Sequence, residues 1–148
     1  MASGRDLRRL AFQALYQIDA RGGQAEHLPD VRLSLDQWEG FTPQERDAAY
    51  AEAVEAWNAR AESDAAMEAL APAWPARRQA AVDRAILRLA HYQMYRPGAL
   101  PKVIVNDAVE LAKQYSTDKS PSFINALLDK VLKPLLDRPA PGAVDAGA

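Results

Sequence analysis

The sequence predicts an all-α fold, a compact single-domain bundle of about six to seven helices, and three observations predict it. Apolar residues recur at helical spacing in successive segments, no convincing run of period-two alternation marks a strand, and cap residues, prolines and glycines fall where those segments start and stop. With 148 residues the chain is long enough to bury a core without metal or disulfide staples, and it holds no internal repeat.

The first helix reads from Arg5 to Asp19, because Leu7, Leu10, Ala11, Ala14, Leu15 and Ile18 follow the spacing of one buried face. Arg21 and the paired glycines Gly22 and Gly23 end it. Residues 24–40, with Leu28, Val31, Leu33, Leu35 and Trp38, fit a short helix or an ordered loop equally well and receive no assignment. Thr42, Pro43 and Glu45 form a capping box with proline at the first helical position, which starts a helix running to about Arg60. Ser63 reads as the cap of a further short helix through Leu70.

Pro72 and Pro75 around Trp74 must break that helix, since proline lacks the amide donor and clashes with the preceding turn. Val82, Ile86, Leu89 and Ala90 then trace the core stripe of a helix from about Gln79 to Tyr95. Arg77, Arg84, Arg88, His91 and Tyr95 align on a second stripe if that helix begins early enough. Pro97 and Gly98 end it. Val105, Ala108, Val109 and Ala112 mark a helix from about Lys102 to Tyr115. Ser120 and Pro121 start the last one, through Leu136, with Phe123, Leu127, Leu128, Val131 and Leu135 turned inward. Residues 1–136 thus form the domain, and 137–148, rich in Ala, Gly and Pro, a loose tail.

Composition removes several function classes. The absence of cysteine excludes disulfide frameworks, thiolate metal sites and cysteine nucleophiles together. No apolar signal core opens the chain and no apolar run is long enough to span a bilayer, so a cytoplasmic protein without a membrane segment is expected. His27 and His91 lie in no metal-ligand spacing, no glycine-rich phosphate loop or nucleophile elbow is present, and Glu52 with Glu55 reads as a solvated helix face. The expectation is a protein that is not an enzyme, with no cofactor and no metal.

The formal net charge of −2 hides a segregation. Residues 19–70 carry four arginines against twelve acids, whereas residues 71–96 carry five arginines against a single aspartate. Such a chain can bind nucleic acid only if its cations gather on one surface. The first helix offers one: at about 100° per residue, Arg5, Arg9, Phe12 and Tyr16 fall on the side opposite the core stripe, flanked by Arg8 and Gln13. Guanidinium groups neutralise phosphates and exposed rings stack unpaired bases, which suits single-stranded nucleic acid. The alternative is that Phe12 and Tyr16 pack beneath a neighbouring helix while the arginines are merely solvated. A second constellation, Lys119, Ser120, Ser122 and Phe123, stands at the start of the last helix, where amides and dipole attract anions. Its plainer reading is a capped helix start with a core phenylalanine.

Arg8, Ala11 and Gln13-Ala14-Leu15-Tyr16, then Val82 to Ala90, Pro101-Lys102-Val103, Asn106 to Lys113, Phe123-Ile124-Asn125 and Leu128-Asp129-Lys130 together resemble the NusB family of bacterial antitermination factors. The resemblance spans the first helix and about Trp74 to Leu132; residues 20–70 match only in length and helical character. It implies an all-helical, non-catalytic protein. With NusE, a small-subunit ribosomal protein, such a factor binds single-stranded boxA RNA in nascent ribosomal-RNA transcripts and joins the RNA polymerase antitermination complex that reads through terminators. Carried over by position, Arg8, Tyr16 and the loop leading to Phe123, with Lys119 and Ser122, resemble the RNA surface, to which the helix-face reading adds Arg5, Arg9 and Gln13; the helix around Asp83 and the stretch near Pro101, Lys102 and Asn106 resemble the side that receives NusE. Asp6 interrupts the basic cluster, Arg9 stands where the family commonly has glutamate, and Lys119 where acids are common. Three other assignments remain open to the sequence: the RNA-binding domain of a ribosomal-RNA cytosine methyltransferase, a protein-only helical adaptor, and a homodimer that hides its RNA surface when free.

Overall fold

In a computed structural model, which describes residues 2–137, the chain forms α1 (Gly4–Ala20), α2 (Leu28–Ser34), α3 (Pro43–Asn58), α4 (Arg60–Leu70), α5 (Ala81–Met94), α6 (Pro101–Tyr115) and α7 (Ser120–Leu136), with no strand among the described residues. The expected tail lies largely outside the described residues. Short 3-10 turns at Ala25–His27, Leu35–Gln37 and Ala76–Arg78 punctuate the connections. The stretch without a sequence assignment therefore contains a short helix, seated through buried Val31 and Leu35.

Two helix starts follow from capping chemistry. At α3 the Thr42 hydroxyl accepts from the Glu45 amide at 3.0 Å while the Glu45 carboxylate accepts from the Thr42 amide at 2.9 Å. At α1 the same reciprocal pair joins Ser3 and Asp6, at 3.1 and 3.3 Å. Asp6, which in the sequence only interrupts a basic cluster, is thus the partner that closes the first turn, and Ser3 holds its carboxyl below the usual carboxylate range. Ser63 is not a cap: α4 begins at Arg60, and Ser63 is buried inside the helix with its hydroxyl 2.9 Å from His91 Nδ1. Arg60 closes the preceding break by donating to the Trp57 carbonyl at 2.9 Å.

Helices α1 and α5 form the middle layer, with α2 to α4 on one side and the α6–α7 hairpin on the other. On α3, buried Ala49, Ala53 and Ala56 form one small-residue face that lets α1 approach closely. The sequence shows only the solvated face of this helix, with Glu52 and Glu55. Leu10, Ala11, Ala14, Leu15 and Ile18 of α1 are buried as expected, while Leu7 is half-buried. Among the described residues no helix is long and apolar enough to cross a membrane.

Candidate nucleic-acid interface

The seam between α1 and α6 carries the first set of expected residues, and acids on the structure occupy several of them. Arg5 Nε donates to Asp107 Oδ1 at 3.1 Å and Arg8 Nη1 donates to Asp107 Oδ2, while the Asp107 side chain is only 4% exposed. Arg9 pairs with Asp6 at 3.3 Å. Arg8 retains 21% of its side-chain exposure against 58% for Arg5, so Arg5 keeps a face for solvent and Arg8 is chiefly a strut between α1 and α6. Gln13 and Tyr16 are half-buried at the surface.

Phe12 departs from the exposed-stripe expectation: it is 2% exposed and belongs to the core. The last turn of α6 covers it, with the Tyr115 ring 5.3 Å away and Tyr16 at 6.4 Å. An α1 wedged between three helices needs a wider apolar arc than a surface helix, which is why a residue on the far side of its stripe is buried. Tyr115 itself is 37% exposed, so the ring available beside Tyr16 is one from α6 that the sequence reading did not single out.

The second basic stripe does not form. The helix begins at Ala81, which leaves Arg77 in the preceding turn. Arg84 Nη2 binds Asp19 Oδ2 at 2.6 Å, and Arg88, buried, binds Asp64 through two hydrogen bonds of 2.9 and 2.7 Å. These guanidiniums are neutralised ties, Arg84 from α5 to α1 and Arg88 from α5 to α4.

At the end of the α1–α6 seam the start of α7 meets the connection before α5. Trp74, Arg78, Gln79, Ala80, Asp83, Thr117, Lys119, Ser120 and Phe123 line a groove of about 330 Å³. Trp74, 55% exposed, meets Phe123 edge-on at 6.2 Å between centroids. Phe123 is half-buried, so one ring face stays in the groove, and Lys119 and Ser122 are exposed beside it. Arg78 and Lys119 have no carboxylate partner among the described residues. The α7 N-terminus adds its dipole and amides. The chemistry of this groove is that of a slot for a flat ring next to an anion. Trp74 and Arg78 escaped the sequence reading because they sit in a proline-broken connection with no helical period; the one signal was a tryptophan beside two arginines.

The expected partner residues divide. Pro101 is half-buried, Lys102 and Asn106 are exposed, and Leu100 and Val103 beside them are 63% and 44% exposed, which makes the start of α6 an apolar, open face. Asp83 is not part of it. It lies at the other end of α6, buried, with its carboxylate accepting from Ser116 Oγ at 2.6 Å and Ser120 Oγ at 2.9 Å. Asp83 is thus an internal acceptor and not an exposed side chain of that face.

The sequence model of the NusB family matches residues 5–133. The transcription antitermination protein NusB of Anaeromyxobacter dehalogenans is 40% identical over 127 residues, covering 84% of this chain and 86% of that protein. The protein of the same name from Symbiobacterium thermophilum is 38% identical over 137 residues, covering 88% of this chain and 90% of its own. Among solved structures, NusB of T. maritima superposes with a TM-score of 0.75 at 27% identity, covering 89% of this chain and 92% of that one.

Proposed function

The chain belongs to the NusB family, and from that membership we propose that it is an RNA-binding antitermination factor that takes single-stranded boxA RNA of nascent ribosomal-RNA transcripts together with NusE, within the RNA polymerase antitermination complex. The function is binding, with no catalytic step. The observation that carries the reading is a pair of patches that each combine rings and cations, Tyr16 and Tyr115 with Arg5 and Arg9 at the α1–α6 seam, and Trp74 and Phe123 with Arg78 and Lys119 at the α7 groove. Phosphates of an unpaired strand meet the cations, Gln13 and Ser122 offer hydrogen bonds, and the bases stack on the rings. Arg8 acts by holding the seam through Asp107.

NusE is assigned to the start of α6, where Pro101, Lys102 and Asn106 frame exposed Leu100 and Val103. An apolar centre with a polar rim is the usual make-up of a protein interface.

The test is a titration of labelled boxA RNA, with and without the cognate NusE, at several salt concentrations. Binding should strengthen with NusE and weaken with salt at a log-log slope of about −0.7 per phosphate neutralised. Tyr16→Ala and Trp74→Ala should each cost about 1 to 3 kcal/mol. Unchanged RNA affinity in both variants, with folding intact, rejects this surface.

A further inference from the structure

One wall of the α7 groove is the connection that carries Trp74, Arg78 and Gln79, and the other is the α6–α7 turn with the first turn of α7, which carry Thr117, Lys119 and Phe123. Two consecutive residues at the start of α5 reach one wall each. Arg84 donates from Nε and Nη2 to Asp19 Oδ2 at 2.8 and 2.6 Å, and from Nη1 to the carbonyls of Ala76 and Gln79 at 3.2 and 3.4 Å. It therefore fastens the Ala76–Arg78 turn to the end of α1. Asp83 accepts from Ser116 and Ser120 on its two carboxylate oxygens, and Thr117 Oγ1 lies 2.9 Å from Ser120 Oγ, which fastens the α6–α7 turn.

We infer that the adjacent pair Asp83 and Arg84 is a positioning device that sets the separation of the groove's two walls, and so the fit of a base against the Trp74–Phe123 pair; the inference rests on the RNA reading above. Electrostatics supports an indirect role for both. A carboxylate on the groove floor repels phosphate, so its presence is explained by the hydroxyls it binds rather than by the ligand. The Arg84 charge is already met by Asp19. The guanidinium reaches the acid through Nε and Nη2 and the two carbonyls through Nη1, a span across separate nitrogens that the single nitrogen of an ammonium does not cover.

The experiment compares the wild-type chain with Arg84→Lys and Ser116→Ala, which act on opposite walls, in titrations of labelled single-stranded boxA RNA across salt. Both variants should bind about tenfold more weakly, the size of one misplaced stacking contact, with the salt slope unchanged. In chains labelled with 5-fluorotryptophan and without RNA, the ¹⁹F resonance of Trp74, assigned through Trp74→Phe, should move in Arg84→Lys while those of Trp38 and Trp57 stay. Wild-type affinity in both variants overturns the inference. So does a slope reduced by about 0.7, which marks a direct phosphate contact, and so does an unmoved Trp74 resonance. A wild-type chain that binds no RNA overturns the RNA reading itself, and the resonance still tests the device.

Discussion

Arg8→Ala separates a pinned guanidinium from a free one. Asp107 is a nearly buried carboxylate, 4% exposed, held by Arg5 and Arg8. Deleting Arg8 leaves it with one partner that is itself 58% exposed. Loss of a hydrogen bond to a charged group costs about 1.5 to 3 kcal/mol, and breaking a fully buried pair about 3 to 5. Because Arg8 keeps 21% exposure and Arg5 remains, the lower range applies, and about 2 kcal/mol is expected. With a urea m-value of about 2 kcal/mol per molar for a chain of this size, the midpoint should fall by about 1 M. The assay is urea unfolding followed by helical circular dichroism, paired with RNA titrations across salt on the same preparation. Arg78→Ala is the counterpart: its stability should equal wild type, while the salt slope should lose about 0.7. Wild-type stability in Arg8→Ala together with a slope loss of that size would show that Arg8 spends its charge on RNA rather than on Asp107, and would refute the reasoning.

Two further outcomes test the fold around the site. Gly23 has φ +69° and a Cβ there would stand 2.3 Å from Trp57 Cζ2, whereas Gly22 has φ +73° with nothing within 4 Å. Gly22→Ala should lose only the left-handed backbone cost of about 1 to 2 kcal/mol, and Gly23→Ala should lose more, read as urea midpoints; equal losses would show that Trp57 does not fill that space. Burial pushes the His91 imidazole below histidine's ordinary 6.5, against a smaller opposing pull from Glu62. The unfolded chain therefore takes up the proton first as pH falls below 6.5, so stability should be full above that value, decline through the interval down to the native pKa, and level off beneath it. His91→Gln should flatten that decline in urea midpoints taken from pH 7.5 to 5; a decline equal to wild type would assign it to another group.

The helices were legible wherever an apolar period met a cap or a breaker. The Thr42 box, the prolines at 101 and 121 and the glycines after α1 are local chemistry, settled by the residues themselves within a turn or two. The basic first helix and the motif blocks of the NusB family were equally readable, as were Lys119, Ser122 and Phe123 at the start of α7. Residues 24–40 were not, because short helices stabilised by one or two buried side chains leave no period to read.

Tertiary structure decided which of those groups are free to act. Arg5 and Arg8 find their carboxylate 102 and 99 residues along the chain, and Arg84 finds Asp19 at a separation of 65. Attraction between charges depends on distance through space, which sequence neighbours do not report. In the same way Phe12 is a surface ring on an isolated helix and a core residue once Tyr115 covers it. Trp74 and Arg78 join Phe123 because packing brings two irregular connections together. The sequence determined the helices and the supply of cations and rings; packing determined which of them still face solvent, since burial and ion pairing are properties of the assembled layers and not of any one segment.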